Sequence, residues 1–338
     1  MRIGLLGTGL IGTSIGLGMR AAGSDVVAWD PNSSHLDEAS ARGAVTPVDG
    51  MAELLSAAHD VVVLASPPHA VIDLVGRLAT DSLVMDVAGV KRPILEASRV
   101  RRFVGTHPMA GREFAGPAAA SASLFRGAAW VVVTDDAQPE DLETVERLVG
   151  ALGARPVRMT ATHHDTAVAA ISHLPQLLAS ALMNEAADRT DALDLVAGSF
   201  RDLTRVAASE PALWVELFTA NRGPLLDVLD DFLRRLHHVA DRLGVGDAAA
   251  VEEVLERAHQ ERRNLGPRTV GVGVALADEP GELARVGRAF ERSGVDIRDL
   301  QLRHAPYGGG GVLTVSVRAA DRDAMRSALT AEGLLLAE

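Results

Sequence analysis

Three stretches of the 338-residue chain bring together residue types that could do chemistry. The first, VGTHPMAGREFAGP at 104–117, sets His107 beside a proline, with three glycines, an arginine and Glu113 close by. An imidazole titrates near neutrality, and glycines let a backbone approach a ligand, so the pattern fits a general base at a ligand site. The bland alternative is a ring that caps a loop. The second, HHDTAVAAISHLPQLLASALM at 163–183, holds Asp165 and His173 eight residues apart, about two turns along one helix face. The third, GSFRDLTRVAASEPALW at 198–214, spaces Arg201 and Arg205 by four, which places both on one helical face. Paired arginines suit bidentate recognition of a carboxylate, although a solvated, salt-bridged face has the same pattern.

These groups need a scaffold, and the first 160 residues supply alternating strand and helix patterns. Strands are expected at 2–7, 25–30, 60–66, 82–87, 102–106, 128–134 and 155–159, with Ala/Leu-rich helical segments between most of them. That alternation predicts a mostly parallel, doubly wound α/β sheet. GLLGTGLIGTS places Gly7, Gly9 and Gly12 in a G-x-G-x-x-G pattern straight after the first strand and at the head of a helix. Gly7 makes the tight turn, Gly9 lets a pyrophosphate reach the backbone, and Gly12 lets helix and strand pack closely. Leu10 and Ile11 complete the phosphate-facing turn. Asp30 ends the second strand about 20 residues on and suits a ribose 2′-hydroxyl; no arginine follows it in PNSSH, which points to NAD over NADP. In such sheets ligands bind beyond the C-terminal strand ends, where His107 falls, and so do Ser66 and Pro67.

Strand signals vanish between 163 and 264, where long Ala/Leu/Glu/Arg stretches predict an all-helical domain punctuated by Pro211 and Gly223-Pro224. After the linker NLGPR at 264–268, residues 269–338 read β-α-β-β-α-β, a small α+β ferredoxin-like unit with YGGGG at 307–311 as a hairpin connection. The expected domains are therefore 1–162, 163–264 and 269–338.

Composition narrows the function classes. The chain has no cysteine, so disulfides, thiolate catalysis and Cys-ligated metals are excluded, and no metal site is expected. A net charge of −12 disfavours nucleic acid and anionic membrane as partners, and an anionic substrate would need a locally basic site. The N-terminal stretch MRIGLLGTGLIGTSIGLGM lacks a basic n-region, so no signal peptide is expected, and no run reaches about 18 uninterrupted apolar residues.

Three motifs in order, GTHPMAGREFAG, HHDTAVAAISHLP and RDLTRVAASEPALW, resemble the prephenate/arogenate dehydrogenase family over essentially the whole chain. The last 70 residues resemble an ACT regulatory domain, with DEPGEL at 278–283 on its first strand–helix turn. The resemblance implies NAD-dependent oxidative decarboxylation of prephenate to 4-hydroxyphenylpyruvate, or of arogenate to tyrosine, in aromatic amino acid biosynthesis. It also implies a cytoplasmic homodimer and an amino-acid effector at the ACT-like unit. By the same resemblance His107 is the hydrogen-bond acceptor or general base, and Arg205 holds a substrate carboxylate. Arg201, Glu113 and Asp202 line or gate the mouth, Trp214 walls the pocket, and His173 lies in a substrate motif.

Two positions depart from the family pattern. DVAGVK at 86–91 puts Gly89 where a serine is common, and Gln176 stands where SHLP is often followed by histidine. Loss of a hydroxyl beside the substrate's C4 group raises 4-amino-4-deoxyprephenate, a precursor of aminophenylalanine-derived natural products, as an alternative substrate. β-Hydroxyacid dehydrogenases share the domain order but need a lysine in the helical domain, and 163–264 contains none; Lys91 is the only lysine in the chain. A non-enzymatic NAD and amino-acid sensor is the remaining alternative, and the presence of His107, Arg205 and Asp30 argues against it.

Overall fold

The computed structural model describes residues 1–111, 115–189, 193–264, 269–304 and 310–337, which form two compact units, Met1–Arg234 and Arg235–Glu338. The first unit opens with β1 (Arg2–Leu6), α1 (Leu10–Ala21), β2 (Asp25–Trp29), α2 (Ser33–Ala41), β3 (Thr46–Pro47) and α3 (Met51–Ser56). It continues through β4 (Val61–Leu64), α4 (Pro68–Arg77), β5 (Leu83–Asp86), α5 (Arg92–Ala97) and β6 (Phe103–Val104). The six strands form one parallel sheet in the order β3-β2-β1-β4-β5-β6. Every residue of β4 and β5 is buried, which explains why they read as unbroken apolar runs: helices cover both faces of a parallel sheet. The chain winds one way from β1 to β3 and the other way from β4 to β6, so a crevice opens between β1 and β4.

The expected strand at 102–106 is in fact two. β6 ends at Val104, and β7 (Thr106–Pro108) leaves for a second sheet, pairing antiparallel with β8 (Ala129–Val133), which pairs parallel with β9 (Arg155–Met159); α6 (Pro139–Ala151) joins β8 to β9. Gly105 is the corner. A side chain there would stand 3.4 Å from Lys91 Cδ and 3.6 Å from Asp86 Oδ1. His107 is thus a strand residue opposite Val131, not a loop residue, and the sheet carrying it is not part of the parallel one.

Helices follow: α7 (Ala161–Val168), a π turn (Ala169–His173), α8 (Leu174–Ala187), α9 (Gly198–Thr204), a 3₁₀ turn (Arg205–Ala208), α10 (Pro211–Ala220) and α11 (Arg222–Gly244). Two spacing arguments change as a result. The π turn breaks the regular face expected to carry Asp165 and His173. Arg201 lies in α9 but Arg205 begins the 3₁₀ turn, so the pair does not share one regular helix. Ala161–Ala187 is long and apolar enough to cross a membrane by length and composition, although polar residues interrupt it. Its His164, Asp165 and His173 are buried within the unit and hydrogen-bonded to protein, as in a core helix.

The second unit contains the end of α11, α12 (Ala248–Asn264), β10 (Thr269–Leu276), α13 (Glu282–Ser293), β11 (Ile297–His304), β12 (Gly311–Arg318), α14 (Arg322–Ala331) and β13 (Leu335–Ala337). Its antiparallel sheet runs β11-β12-β10-β13, the expected β-α-β-β-α-β unit, around a core of Val272, Val274, Val315, Val317, Val286 and Met325. Most of the linker NLGPR and of the YGGGG connection lies outside the described residues.

The three glycines after β1 differ in what they spare. A Cβ on Gly12 would meet the Gly7 carbonyl oxygen at 2.1 Å, whereas one on Gly9 would meet nothing within 4 Å. Gly12→Ala is therefore expected to cost about 1–3 kcal/mol of overpacking strain and lower the Tm. Gly9→Ala should leave the Tm unchanged and weaken dinucleotide binding at least ~10-fold, because its methyl would occupy the pyrophosphate's approach. Thermal melts with and without dinucleotide separate the two, and equal melting of both variants would contradict the assignment.

Candidate active site

The site begins at Asp86, the last residue of β5. Its carboxylate is fully buried and accepts from Ala88 N–H (2.9 Å), Thr106 N–H (3.2 Å) and the Lys91 ammonium. Lys91 Nζ also donates to the Thr106 carbonyl at 2.5 Å, and the Thr106 hydroxyl donates to the Asp86 carbonyl at 2.5 Å while accepting from Trp130 Nε1 at 3.0 Å. Burial pushes the Asp86 carboxyl up and the Lys91 ammonium down, and each opposes the other's shift by its charge. Both groups are fully paired, which is the condition for tolerating an ion pair in an interior. The effect is to fix Thr106, and hence His107, against the end of β5.

A second set of bonds fixes the ring. His107 Nδ1 lies 2.9 Å from His164 Nε2, and His164 Nδ1 lies 2.7 Å from Asp165 Oδ1. A carboxylate can only accept, so His164 carries its proton on Nδ1 and presents Nε2 as an acceptor. His107 must then donate from Nδ1, which leaves its Nε2 as a free lone pair. Asp165 is anchored in turn by the backbone N–H groups of Lys91 and Arg92, 2.8 Å each, at the N-terminal end of α5. The His107 Nε2 edge faces Gly89: a Cβ there would be 3.7 Å from Nε2 and 2.9 Å from Leu217 Cδ2. Gly89 and His107 are both partly exposed among buried neighbours, and Nε2 is the ring nitrogen nearest Gly89.

Burial lowers the His107 pKa well below its ordinary value, and the charges of His164, Lys91 and His173 lower it further. His164 is also lowered, chiefly by burial, and burial takes His173 to about 4. The ring is therefore a neutral base at physiological pH. His173 and Asp165, expected on one helix face, are joined instead by Asn221, whose Nδ2 donates to the Asp165 carbonyl at 2.8 Å and sits 3.2 Å from His173 Nδ1. His173 packs against Trp214 and Phe218, with ring centroids 6.2 and 6.0 Å away. Gln176 is buried and its Oε1 has no hydrogen-bond partner. Arg201, Asp202 and Arg205 are exposed on α9 and the 3₁₀ turn, and Glu113 lies outside the described residues.

The residues for a dinucleotide flank the crevice. Gly7 adopts φ +101° and lies so close to the end of β4 that a Cβ would stand 2.3 Å from the Ala65 carbonyl oxygen and 3.1 Å from Ser66 Oγ. Gly9, Leu10 and Ile11 open α1 with no side-chain cap, so its first N–H groups remain for an anion. Asp30 Oδ2 accepts from Thr8 N–H (2.6 Å) and from the Thr8 hydroxyl (3.0 Å), and Oδ1 accepts from Asn32 N–H (2.8 Å), which holds the carboxylate at the edge of the glycine turn. Pro67 precedes α4 and is exposed at the same rim. This cradle fits a dinucleotide.

Sequence reading missed Asp86, Lys91, His164, Leu217 and Asn221. The signals were slight: a lone lysine five residues after an aspartate, and a histidine adjoining Asp165.

A doubly wound nucleotide-binding domain with a neutral histidine base at its strand ends defines a dinucleotide-dependent oxidoreductase. Residues 15–158 match the family described as prephenate dehydrogenase, nucleotide-binding domain, and residues 160–257 match prephenate dehydrogenase, dimerization domain. A protein of Streptomyces niveus described as a probable prephenate dehydrogenase, NovF, is 32% identical over 94% of both chains. Synechocystis arogenate dehydrogenase is 28% identical with a TM-score of 0.68, covering 79% of this chain and 100% of that one. The prephenate dehydrogenase of A. aeolicus, solved with hydroxyphenyl propionate and NAD+, shares the fold at 24% identity, with a TM-score of 0.73 over 79% of this chain and 98% of that one. The chain belongs to the prephenate dehydrogenase family.

The histidine pair yields a pH prediction. His107 binds its proton more weakly folded than unfolded, where the value is near 6.5. The unfolded state therefore takes up more protons as the pH falls; the neutral ring's contribution to stability is present above that value and is lost progressively below it. The acid limb of kcat/KM should accordingly lie below pH ~6.5. His107→Asn should lower kcat at least ~10²-fold with a smaller change in KM, and His164→Asn should lower kcat by less while leaving the fold intact. A folded His107→Asn variant with near-normal turnover would rule out the base.

Proposed function

We propose that the chain is an NAD-dependent dehydrogenase that oxidatively decarboxylates prephenate or arogenate in tyrosine biosynthesis, with His107 as its base. The observation that carries this reading is the orientation of His107: one nitrogen is committed to His164 and Asp165, and the other is open at Gly89. His107 Nε2 accepts the proton of the substrate's C4 hydroxyl as C4 gives up its hydride; the C1 carboxylate leaves as CO₂, its electron pair makes the ring aromatic, and the phenolate oxygen takes the proton back from His107. NAD+ supplies the hydride acceptor when bound. Proton removal by a positioned base is typically worth about 10²–10⁴-fold. The chain holds the dinucleotide by Gly7, Gly9, Leu10, Ile11 and Gly12, with Ser66 and Pro67 at the rim and Asp30 on the ribose, where a 2′-phosphate would meet a carboxylate. Arg205 binds a substrate carboxylate; Arg201, Asp202 and Glu113 line or gate the mouth; Trp214 walls the pocket, and His173 and Gln176 are the motif positions near the substrate.

The proposed domains are 1–162 for nucleotide binding, 163–264 for substrate and dimerization, and 269–338 as an ACT-like unit that binds an amino-acid effector. The protein is placed in the cytoplasm. Exposed Leu226, Leu233, Leu236, Leu243 and Leu255 on α11 and α12 supply apolar surface for a homodimer. Light scattering at micromolar concentration should return a dimer mass, and a monomer would refute the assembly.

A second reading, that the substrate carries a 4-amino group, has its own observation: the glycine at 89, 3.7 Å from His107 Nε2 at its Cβ position, sets no hydroxyl beside the ring. Reduced-nicotinamide absorbance, followed with prephenate, arogenate and 4-amino-4-deoxyprephenate in turn, tests both readings, and NAD+ should outperform NADP+ with each active substrate. Gly89→Ser displaces only the flexible tip of Leu217. It should shift kcat/KM toward 4-hydroxy over 4-amino substrates by roughly the 0.5–1.5 kcal/mol of one neutral hydrogen bond. An unchanged ratio would mean that Gly89 does not face C4.

A further inference from the structure

Of the 33 basic residues in the chain, 32 are arginine, and the single lysine, Lys91, is wholly buried. Its ammonium reaches no solvent and therefore no substrate. It nevertheless touches each element that sets His107. Nζ bonds Asp86 at the end of β5 and the Thr106 carbonyl in β7, one residue before His107. The Lys91 backbone N–H donates to Asp165 in α7, the carboxylate that orients His164. The space is closed around the stem, with the Gly105 Cβ position 3.4 Å from Cδ. A guanidinium is planar and larger than an ammonium and would not enter this space without moving β7. That accounts for one lysine persisting in a chain that otherwise uses arginine.

We infer that Lys91 is a positioning residue for the reaction: it holds the His107 base in place by tying Thr106 to Asp86 and by anchoring, through its amide, the Asp165–His164–His107 chain. This rests on His107 being the base. The charges facing His107 come from His164 and Asp165 on α7, His173 on the π turn, and Lys91 and Asp86 around the end of β5. Lys91, paired with Asp86, also opposes protonation of the imidazole by its charge.

The test needs a charge-free variant that keeps the polar contacts. Asp86→Asn/Lys91→Gln is expected to bind NAD+ as the parent does, to lose at least ~10-fold in kcat with little change in KM, and to move the acid limb of kcat upward. Lys91→Arg should not rescue activity. An Asp86→Asn/Lys91→Gln protein with parental kcat and an unmoved acid limb would overturn the inference. A second measurement avoids substitution at Lys91. With ¹⁵N-labelled lysine, the side-chain ammonium gives one resonance, because there is only one lysine. Its shift should follow the protonation of His107 in the parent and lose that step in His107→Asn. A Lys91 signal indifferent to His107 would also overturn the inference. If His107→Asn instead retains full turnover while the ¹⁵N coupling is present, the base assignment fails and the positioning contact stands.

Discussion

The Asp165 carboxylate is the joint on which the site depends. It accepts from the backbone N–H groups of Lys91 and Arg92 and from His164 Nδ1, so one side chain ties the first turn of α5, in the nucleotide-binding half, to α7, which begins the helical half. A carboxylate at a helix N-terminus is favoured by the unpaired N–H groups and the helix dipole. Here that favourable contact also orients two histidines. Because Asp165 can only accept, the tautomers of His164 and then His107 are determined in sequence, and the lone pair emerges at the one edge open to a ligand. The Asp165 carbonyl extends the joint to Asn221 and thus to His173. Removing the carboxylate would free the buried Lys91 N–H, the part-buried Arg92 N–H and both imidazoles at once.

The Asp86–Lys91 pair plays a complementary part. Asp165 sets which way the ring presents its nitrogen, whereas Asp86, Lys91 and Thr106 set where the ring's backbone lies. Buried ion pairs seldom improve on apolar packing for stability alone. This one sits at the corner where β6 ends and β7 begins, a place where the chain abandons one sheet for another and its backbone groups need other partners. Asp86 satisfies the Thr106 N–H and Lys91 satisfies the Thr106 carbonyl, so both backbone groups of Thr106 keep a partner where the chain changes sheet.

Much of this architecture was legible in the residues. The glycine pattern ahead of α1, the unbroken apolar strands β4 and β5, and the β-α-β-β-α-β order of the last unit each follow from local chemistry that tertiary contacts do not override. The corner at Gly105 was hidden because glycine between two apolar residues looks the same in a continuous strand as at a change of sheet. The π turn at 169–173 leaves no mark on hydrophobic spacing, so helical periodicity overstated how Asp165 and His173 align. His107 could be found because its neighbours are distinctive. His164 could not, because its importance lies in a contact 57 residues away in sequence. Lys91 was visible as a count of one, but burial rather than composition gave that count its meaning.

The neutrality of the histidines also bears on how a chain of net charge −12 takes an anionic substrate. His107, His164 and His173 are all held below their ordinary pKa, so none of the three contributes positive charge to binding at neutral pH. Lys91 is positive but sealed off, its charge answered by Asp86. A cation that meets a carboxylate must therefore come from outside this cluster; Arg201 on α9 and Arg205 on the 3₁₀ turn, exposed and permanently charged, are its proposed source. Such a division keeps the two tasks from interfering. A cation placed against His107 strengthens neutrality, while a carboxylate brought too near would raise the ring's pKa and blunt it as a base. Under the proposed roles, holding the substrate's charge on arginines apart from the imidazole would let binding and proton removal be tuned separately.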